Sequence, residues 1–188
     1  MKTLGYVLLG LLARGAYSGY DLTQILKQRF AYFWQAGHSQ IYPELARLEA
    51  ENLVTFEVVA QEDRPDKKIY SITEAGRAIL HEWVTTPTDS FPSKRDELVL
   101  KAYSLWLGDP ERAIKLFEDQ AQQHTQRLAD YREAQAWIEQ QWDQEGRRID
   151  SQWFGSYISL QRGISHEREY ADWCHWVVEQ LKQGQTGP

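Results

Sequence analysis

The chain has 188 residues, 42% of them hydrophobic and 13% aromatic, which is ample for a packed core and excludes a wholly disordered chain. One cysteine, Cys174, excludes a disulfide within the chain and points to a reducing cytoplasm. The net charge of −6 weighs against a nucleic-acid partner, but residues 1–86 carry nine Lys/Arg against ten Asp/Glu and residues 87–188 twelve against seventeen, so the acidity lies mainly in the second half.

Lys2 followed by the apolar stretch Leu4–Ala13 has the outline of a signal peptide. Leu4, Val7, Leu8, Leu11 and Leu12, however, fall at the spacing of one helical face, and a second amphipathic segment follows without a small-residue cleavage site. A structural helix is the expectation. No run approaches the roughly 18 apolar residues of a membrane span, so no membrane partner is expected.

After Gly15-Ala16-Tyr17, Ser18 and Asp21 make a capping-box-like pair at the head of a second helix, whose apolar stripe is Leu22, Ile25, Leu26 and Phe30. Ser39 is the expected cap of a third helix, with Pro43 early enough to be tolerated. Its spacing puts Ile41, Leu45, Leu48 and Asn52 on one face, and Gln40, Pro43, Arg47 and Ala50 on the other, with Tyr42 at the flank. Val54–Ala60 and Ile69–Thr73 read as strands around the polar loop 61–68, a two-stranded hairpin with a charged tip. Thr73 then caps a helix running to about Thr86.

Residues 87–94, with two prolines and no periodicity, read as a linker. Beyond them the chain is expected to be helical, over residues 95–188. A short segment from Asp96 stops at Gly108, and Asp109-Pro110 is a strong helix start. Ile114, Phe117, Ala121, His124, Leu128, Tyr131, Gln135, Ile138 and Trp142 then keep heptad spacing over a helix about 50 Å long. Trp153, Tyr157, Leu160, Ile164, Ala171, Cys174, Val178 and Leu181 repeat the pattern in a second long helix. The economical solution is an antiparallel helix pair that also pairs with a second chain. Ile114, Phe117, Leu128, Tyr131, Ile138, Trp142, Leu160 and Ile164 are its candidate dimerisation residues.

Four segments carry a family resemblance: Leu9-Gly10-Leu11-Leu12, Ser18-Gly19-Tyr20-Asp21-Leu22, Ile41-Tyr42-Pro43-Glu44-Leu45 with Leu48-Glu49, and Tyr70-Ser71-Ile72-Thr73-Glu74-Ala75-Gly76-Arg77. In order and spacing they resemble the PadR family of bacterial regulators, and the helical second half is similar to the longer PadR subgroup. The resemblance implies a mainly α fold with a small β-hairpin wing: a winged helix-turn-helix over residues 1–86, and a long-helix antiparallel domain over 95–188 that dimerises and is a candidate effector sensor. It implies a homodimer on two-fold, double-stranded operator DNA, usually a repressor, with some members answering to small aromatic or amphipathic effectors. The third helix would enter the major groove and the wing would follow the phosphates.

By position, the resemblance makes Ser39, Gln40, Tyr42 and Arg47 the groove-side candidates, Tyr20 a phosphate candidate, and Arg64, Lys67 and Lys68 the wing candidates. Arg47 stands first, because a guanidinium reads guanine bidentately or holds a phosphate. The same helix carries Glu44, Glu49 and Glu51, so modest non-specific affinity is expected. Plainer readings stand beside these. Tyr20 and Tyr42 suit helix packing, and Lys67 and Lys68 a solvated turn. The tryptophans suit a core or dimer interface as well as a ligand pocket, and His124, His166 and His175 suit hydrogen bonding as well as pH sensing. Cys174 suits a buried small residue. The chain shows no Gly-rich phosphate loop, nucleophile elbow or paired-His zinc motif, so no enzyme, catalytic residue, cofactor or metal is expected. An adapter whose winged helix binds protein instead of DNA is the alternative function.

Overall fold

The leucine spacing near the N-terminus gives helix α1, Thr3–Leu12, which buries Leu8, Leu9, Leu11 and Leu12 and packs against two later helices. The computed structural model describes residues 1–29, 37–60, 66–88 and 96–185, in two compact units within 1–90 and 91–188. Phe30, Arg64 and residues 89–94 of the expected linker lie outside the described residues. Among the described residues no helix is long and apolar enough to cross a membrane.

In the first unit, Ser18 and Asp21 cap α2, Gly19–Arg29, as expected. The Ser18 backbone N–H donates to the Asp21 carboxylate at 3.1 Å, and the Asp21 N–H donates to Ser18 Oγ at 3.2 Å. Helix α3, His38–Ala50, follows, and then strands β2, Val54–Val59, and β3, Lys67–Ile72. The expected hairpin is in fact a three-stranded sheet. Tyr17–Ser18 forms a short strand β1 antiparallel to β3, with Tyr17 opposite Tyr70 and Ser18 opposite Ile69, so the order is β1-β3-β2. Two residues hold no periodicity, and their pairing partner lies some fifty positions away.

Thr73 caps α4, Glu74–Trp83, by accepting from the Gly76 N–H at 3.1 Å. This helix is shorter than the sequence indicated, because Val84–Thr86 form a turn after it. Trp83 stacks on Tyr6 of α1 at 4.4 Å. One core joins these elements, with Leu8, Leu9, Leu22, Ile41, Leu45 and Leu48 fully buried. Gly76 is pressed so closely onto the sheet that a Cβ there would lie 2.2 Å from the Leu53 carbonyl oxygen. That oxygen is backbone and cannot swing away.

In the second unit, Asp96 caps α5, Glu97–Tyr103, and a 3₁₀ turn, Leu105–Leu107, leads to Gly108. Asp109 then caps α6, Pro110–Gln144, accepting from the Arg112 N–H at 2.8 Å, with Pro110 at the first helical position. The chain reverses through Gly146 and Arg147, both at positive φ, into α7, Gln152–Gln185. Glu118 meets Lys182, His124 meets Glu167 and Trp142 meets Phe154, so α6 and α7 run antiparallel as expected.

Much of the heptad stripe closes inside this pair. Phe117, Ala121, Leu128 and Trp142 of α6 and Ile164, Ala171, Cys174 and Val178 of α7 are buried within one chain, whereas Ile114, Tyr131, Ile138 and Leu160 are half-buried. Phe117 meets Trp173 edge-on at 5.5 Å, and Trp142 packs on Phe154 and Tyr157. Cys174 is a buried small residue whose thiol is pushed up to about 11, by burial first and then by Asp96. Tyr170 donates its hydroxyl to both oxygens of Asp96 at 2.8 Å, tying α7 to the head of α5. His124 Nδ1 lies 2.5 Å from Oε2 of Glu167, whose side chain is 1% exposed. Oε1 of the same carboxylate is buried without a hydrogen-bond partner, and the Arg127 guanidinium lies 3.8 Å from it.

Two substitutions test this packing. Gly76→Ala should destabilise the first unit by about 1–3 kcal/mol through overpacking, measured by urea unfolding. His124→Ala should destabilise the helix pair by about 3–5 kcal/mol, because it leaves a buried carboxylate without its partner. Unfolding midpoints equal to wild type would contradict both assignments.

Candidate nucleic-acid interface

The face α3 can offer to a partner is set by the face it buries. Ile41, Leu45 and Leu48 are 0% exposed. At 100° per residue, Ser39, Pro43, Ala46 and Ala50 therefore fall on the outer side, with Arg47 and Gln40 on one flank and Tyr42 on the other. Ser39, Gln40, Tyr42, Pro43, Ala46 and Ala50 are all exposed. Ala46 went unnoticed in the sequence, where its small side chain carries no recognition signal.

Both ends of α3 differ from the expectation. Gly37, in extended conformation, is the N-cap, and Gln40 Oε1 accepts its N–H at 3.3 Å. Ser39 is instead the second helical residue, with its side chain outward. At the other end the helix stops at Ala50, and Asn52 leaves the Ile41–Leu45–Leu48 face to adopt φ 57°. Leu53 N–H then donates to the Leu48 carbonyl at 2.9 Å and Asn52 N–H to Glu49 at 2.9 Å, a paired closure that needs a left-handed residue. Asparagine tolerates that conformation better than most residues.

Arg47 is the most constrained of the candidates. Its Nη2 lies 2.5 Å from Glu44 Oε1, its Nε 3.3 Å from Glu44 Oε2, and its Nη1 2.5 Å from Glu51 Oε1. Hydrogen bonds to Glu44, outweighing partial desolvation, and then to Glu51 hold the guanidinium protonated beyond its ordinary range. Glu44 is itself buried, at 7% exposure, against the α1 backbone at Gly5. Sequence spacing contained both pairs, at i,i+3 and i,i+4. The burial of Glu44 depends on a close helix approach that spacing does not reveal.

Tyr42 combines its two readings. Its ring lies against Gly19 at the start of α2, where a Cβ would come within 2.7 Å of the ring, yet the residue is 46% exposed. Tyr20, one residue further into α2, is 57% exposed. On the sheet, Lys67 Nζ pairs with Asp21 at 3.1 Å, and Lys68 Nζ lies 3.7 Å above the Phe56 ring. Burial tends to raise the Asp21 carboxyl, but hydrogen bonds from Ser18 and Lys67 hold it below its usual range. The structure thus brings Tyr20 and Tyr42 to the α2–α3 side, and Lys67 and Lys68 to the loop end of the β2–β3 hairpin. Arg64 lies outside the described residues.

The chain matches two family models, the transcriptional regulator PadR-like family over residues 8–82 and the virulence activator alpha C-terminal model over residues 94–182. It is 34% identical over 185 residues to the negative transcriptional regulator PadR of Bacillus subtilis, covering 96% of this chain and 98% of that one. The crystal structure of Bacillus subtilis PadR with operator DNA superposes with a TM-score of 0.82 at 32% identity, covering 96% of this chain and 98% of that one. The structure of the same regulator with p-coumaric acid gives 0.70 at 32% identity, covering 96% and 99%. The chain belongs to the PadR-like family of transcriptional regulators.

Proposed function

We propose that this protein is a ligand-responsive repressor that binds a two-fold operator as a homodimer in the cytoplasm, without enzymatic activity. The observation that carries this reading is the near full-length likeness to a regulator solved on its operator, at a TM-score of 0.82. In this reading the outer face of α3 lies in the major groove. Ser39, Gln40, Tyr42 and Arg47 face the bases or flanking phosphates, and Tyr20, Lys67 and Lys68 face the backbone. The similar regulator solved with p-coumaric acid supports a small aromatic carboxylate as the effector class.

Dimerisation in this reading does not use the whole heptad stripe. Phe117, Leu128, Trp142 and Ile164 already pack inside one chain and act by making the helix pair rigid. The second copy covers the apolar side chains that remain open. Leu100, Tyr103, Trp106 and Leu107 are between 68% and 88% exposed, and Trp176 is 57% exposed.

The pairing of Arg47 with two carboxylates and of Lys67 with Asp21 favours one other reading, a winged helix that docks on protein. A gel-shift series with the protein's own upstream DNA, across salt and with random competitor, separates the two. Retardation that is specific and weakens with salt is expected of the regulator. A folded dimer that retards no DNA at any salt would favour the adapter. Arg47→Ala should weaken operator binding by about 1–3 kcal/mol while leaving the dimer intact. In sedimentation, the Leu100→Asp/Leu107→Asp protein should be a folded monomer, and a persistent dimer would place the interface elsewhere.

A further inference from the structure

We propose that Glu44 is a positioning residue for base reading, holding the Arg47 guanidinium by its side edge so that its terminal edge is presented to a guanine. The inference rests on the reading of α3 as the groove helix and adds a residue that this reading does not need.

A guanidinium has five N–H donors. Glu44 takes two of them along the side edge, from Nε and from Nη2, and Glu51 takes one from Nη1. Two remain, one on each terminal nitrogen. Guanine O6 and N7 accept two parallel hydrogen bonds from such a pair. In the proposed arrangement Glu51 takes the Nη1 hydrogen that faces Cδ, so the chelation fixes the plane of the group and leaves the terminal edge to read. Arginine held in this way loses less rotamer freedom when it binds.

The arrangement is built into the fold rather than lying loose on the surface. The Glu44 side chain is 8% exposed, whereas that of Glu51 is 46% exposed. The wall behind Glu44 is the α1 backbone at Gly5. A Cβ there would lie 2.6 Å from Glu44 Oε1, 2.9 Å from Met1 Cγ and 3.0 Å from Arg47 Nη2. All three atoms belong to flexible side chains. Alanine at position 5 therefore displaces the pair without forcing the backbone apart.

The two carboxylates also cancel the attraction of Arg47 for phosphate. Arg47 then contributes to discrimination between bases more than to general affinity.

The test uses the full-length dimer and a duplex that it selects from a randomised library. Each G·C pair is then replaced singly by A·T, alongside a scrambled duplex, with Kd measured by fluorescence anisotropy. Wild type should lose about tenfold or more at one G·C pair per half-site, and Arg47→Ala should abolish that discrimination. Glu44→Gln and Gly5→Ala should each reduce discrimination at the same pair by about threefold or more. They should leave the other positions and the thermal midpoint near wild type, and affinity for the scrambled duplex should not fall. A merely structural role would lower affinity for every duplex together. If Arg47→Ala abolishes the discrimination but Glu44→Gln and Gly5→Ala keep it in full, the positioning role is overturned and Arg47 remains a reader. If Arg47→Ala changes no position, Arg47 is not in the groove, and the placement of α3 falls with the proposal.

Discussion

Three fully buried side chains, Ile41, Leu45 and Leu48, set the rotation of α3 about its own axis, and the face that this helix turns outward follows from that setting. They lock against Leu8 and Leu9 of α1 and Leu22 and Leu26 of α2, and the Asn52–Leu53 closure stops the helix from sliding along its axis. A helix so fixed has one outer face. Here that face is a line of small residues, Pro43, Ala46 and Ala50, flanked by the longer side chains of Gln40, Arg47 and Tyr42. Small residues along the centre let a helix approach a groove closely, while longer residues at the flanks can reach edges and phosphates.

The charges around that face are arranged differently from a simple basic patch. Arg47 lies between Glu44 and Glu51, Lys67 lies beside Asp21, and Lys68 lies over an aromatic ring. Cations tied in this way keep their geometry but lose much of their far field, since opposite charges a few ångströms apart look nearly neutral beyond a Debye length. The net charge of the chain and the local chemistry of α3 therefore agree. Both fit the expectation that sequence-independent attraction is modest, which in the proposed reading leaves contact geometry to supply most of the selectivity.

Local chemistry is what the sequence discloses well. Ser18 with Asp21, Thr73, and Asp109 with Pro110 each placed a helix start, because capping needs only neighbours within three residues. The heptads of α6 and α7 were legible because the repeats are long and the helix they imply cannot cover itself. Features that depend on distant partners were not legible. Strand β1 exists only through its pairing with β3. Gly37 caps α3 in place of Ser39 through its extended backbone, which no side chain announces. The wing lysines were visible as charges, but the Asp21 carboxylate that holds one of them lies 46 positions away. Glu44 read as surface charge because nothing in its neighbourhood reveals the α1 backbone at Gly5.

The buried Glu167 has a consequence for the register of the long helices. Heptad stripes are repetitive, and Leu, Ala and Val positions tolerate a slide of one repeat with little loss of buried area. Sliding α7 by seven residues would put the Glu167 carboxylate opposite Phe117 or Tyr131 instead of His124. A carboxylate stranded there is far costlier than an apolar mismatch. The effect of Glu167 is to favour one alignment of two nearly self-similar helices over its neighbours, in concert with the Glu118–Lys182 pair towards one end of the rod.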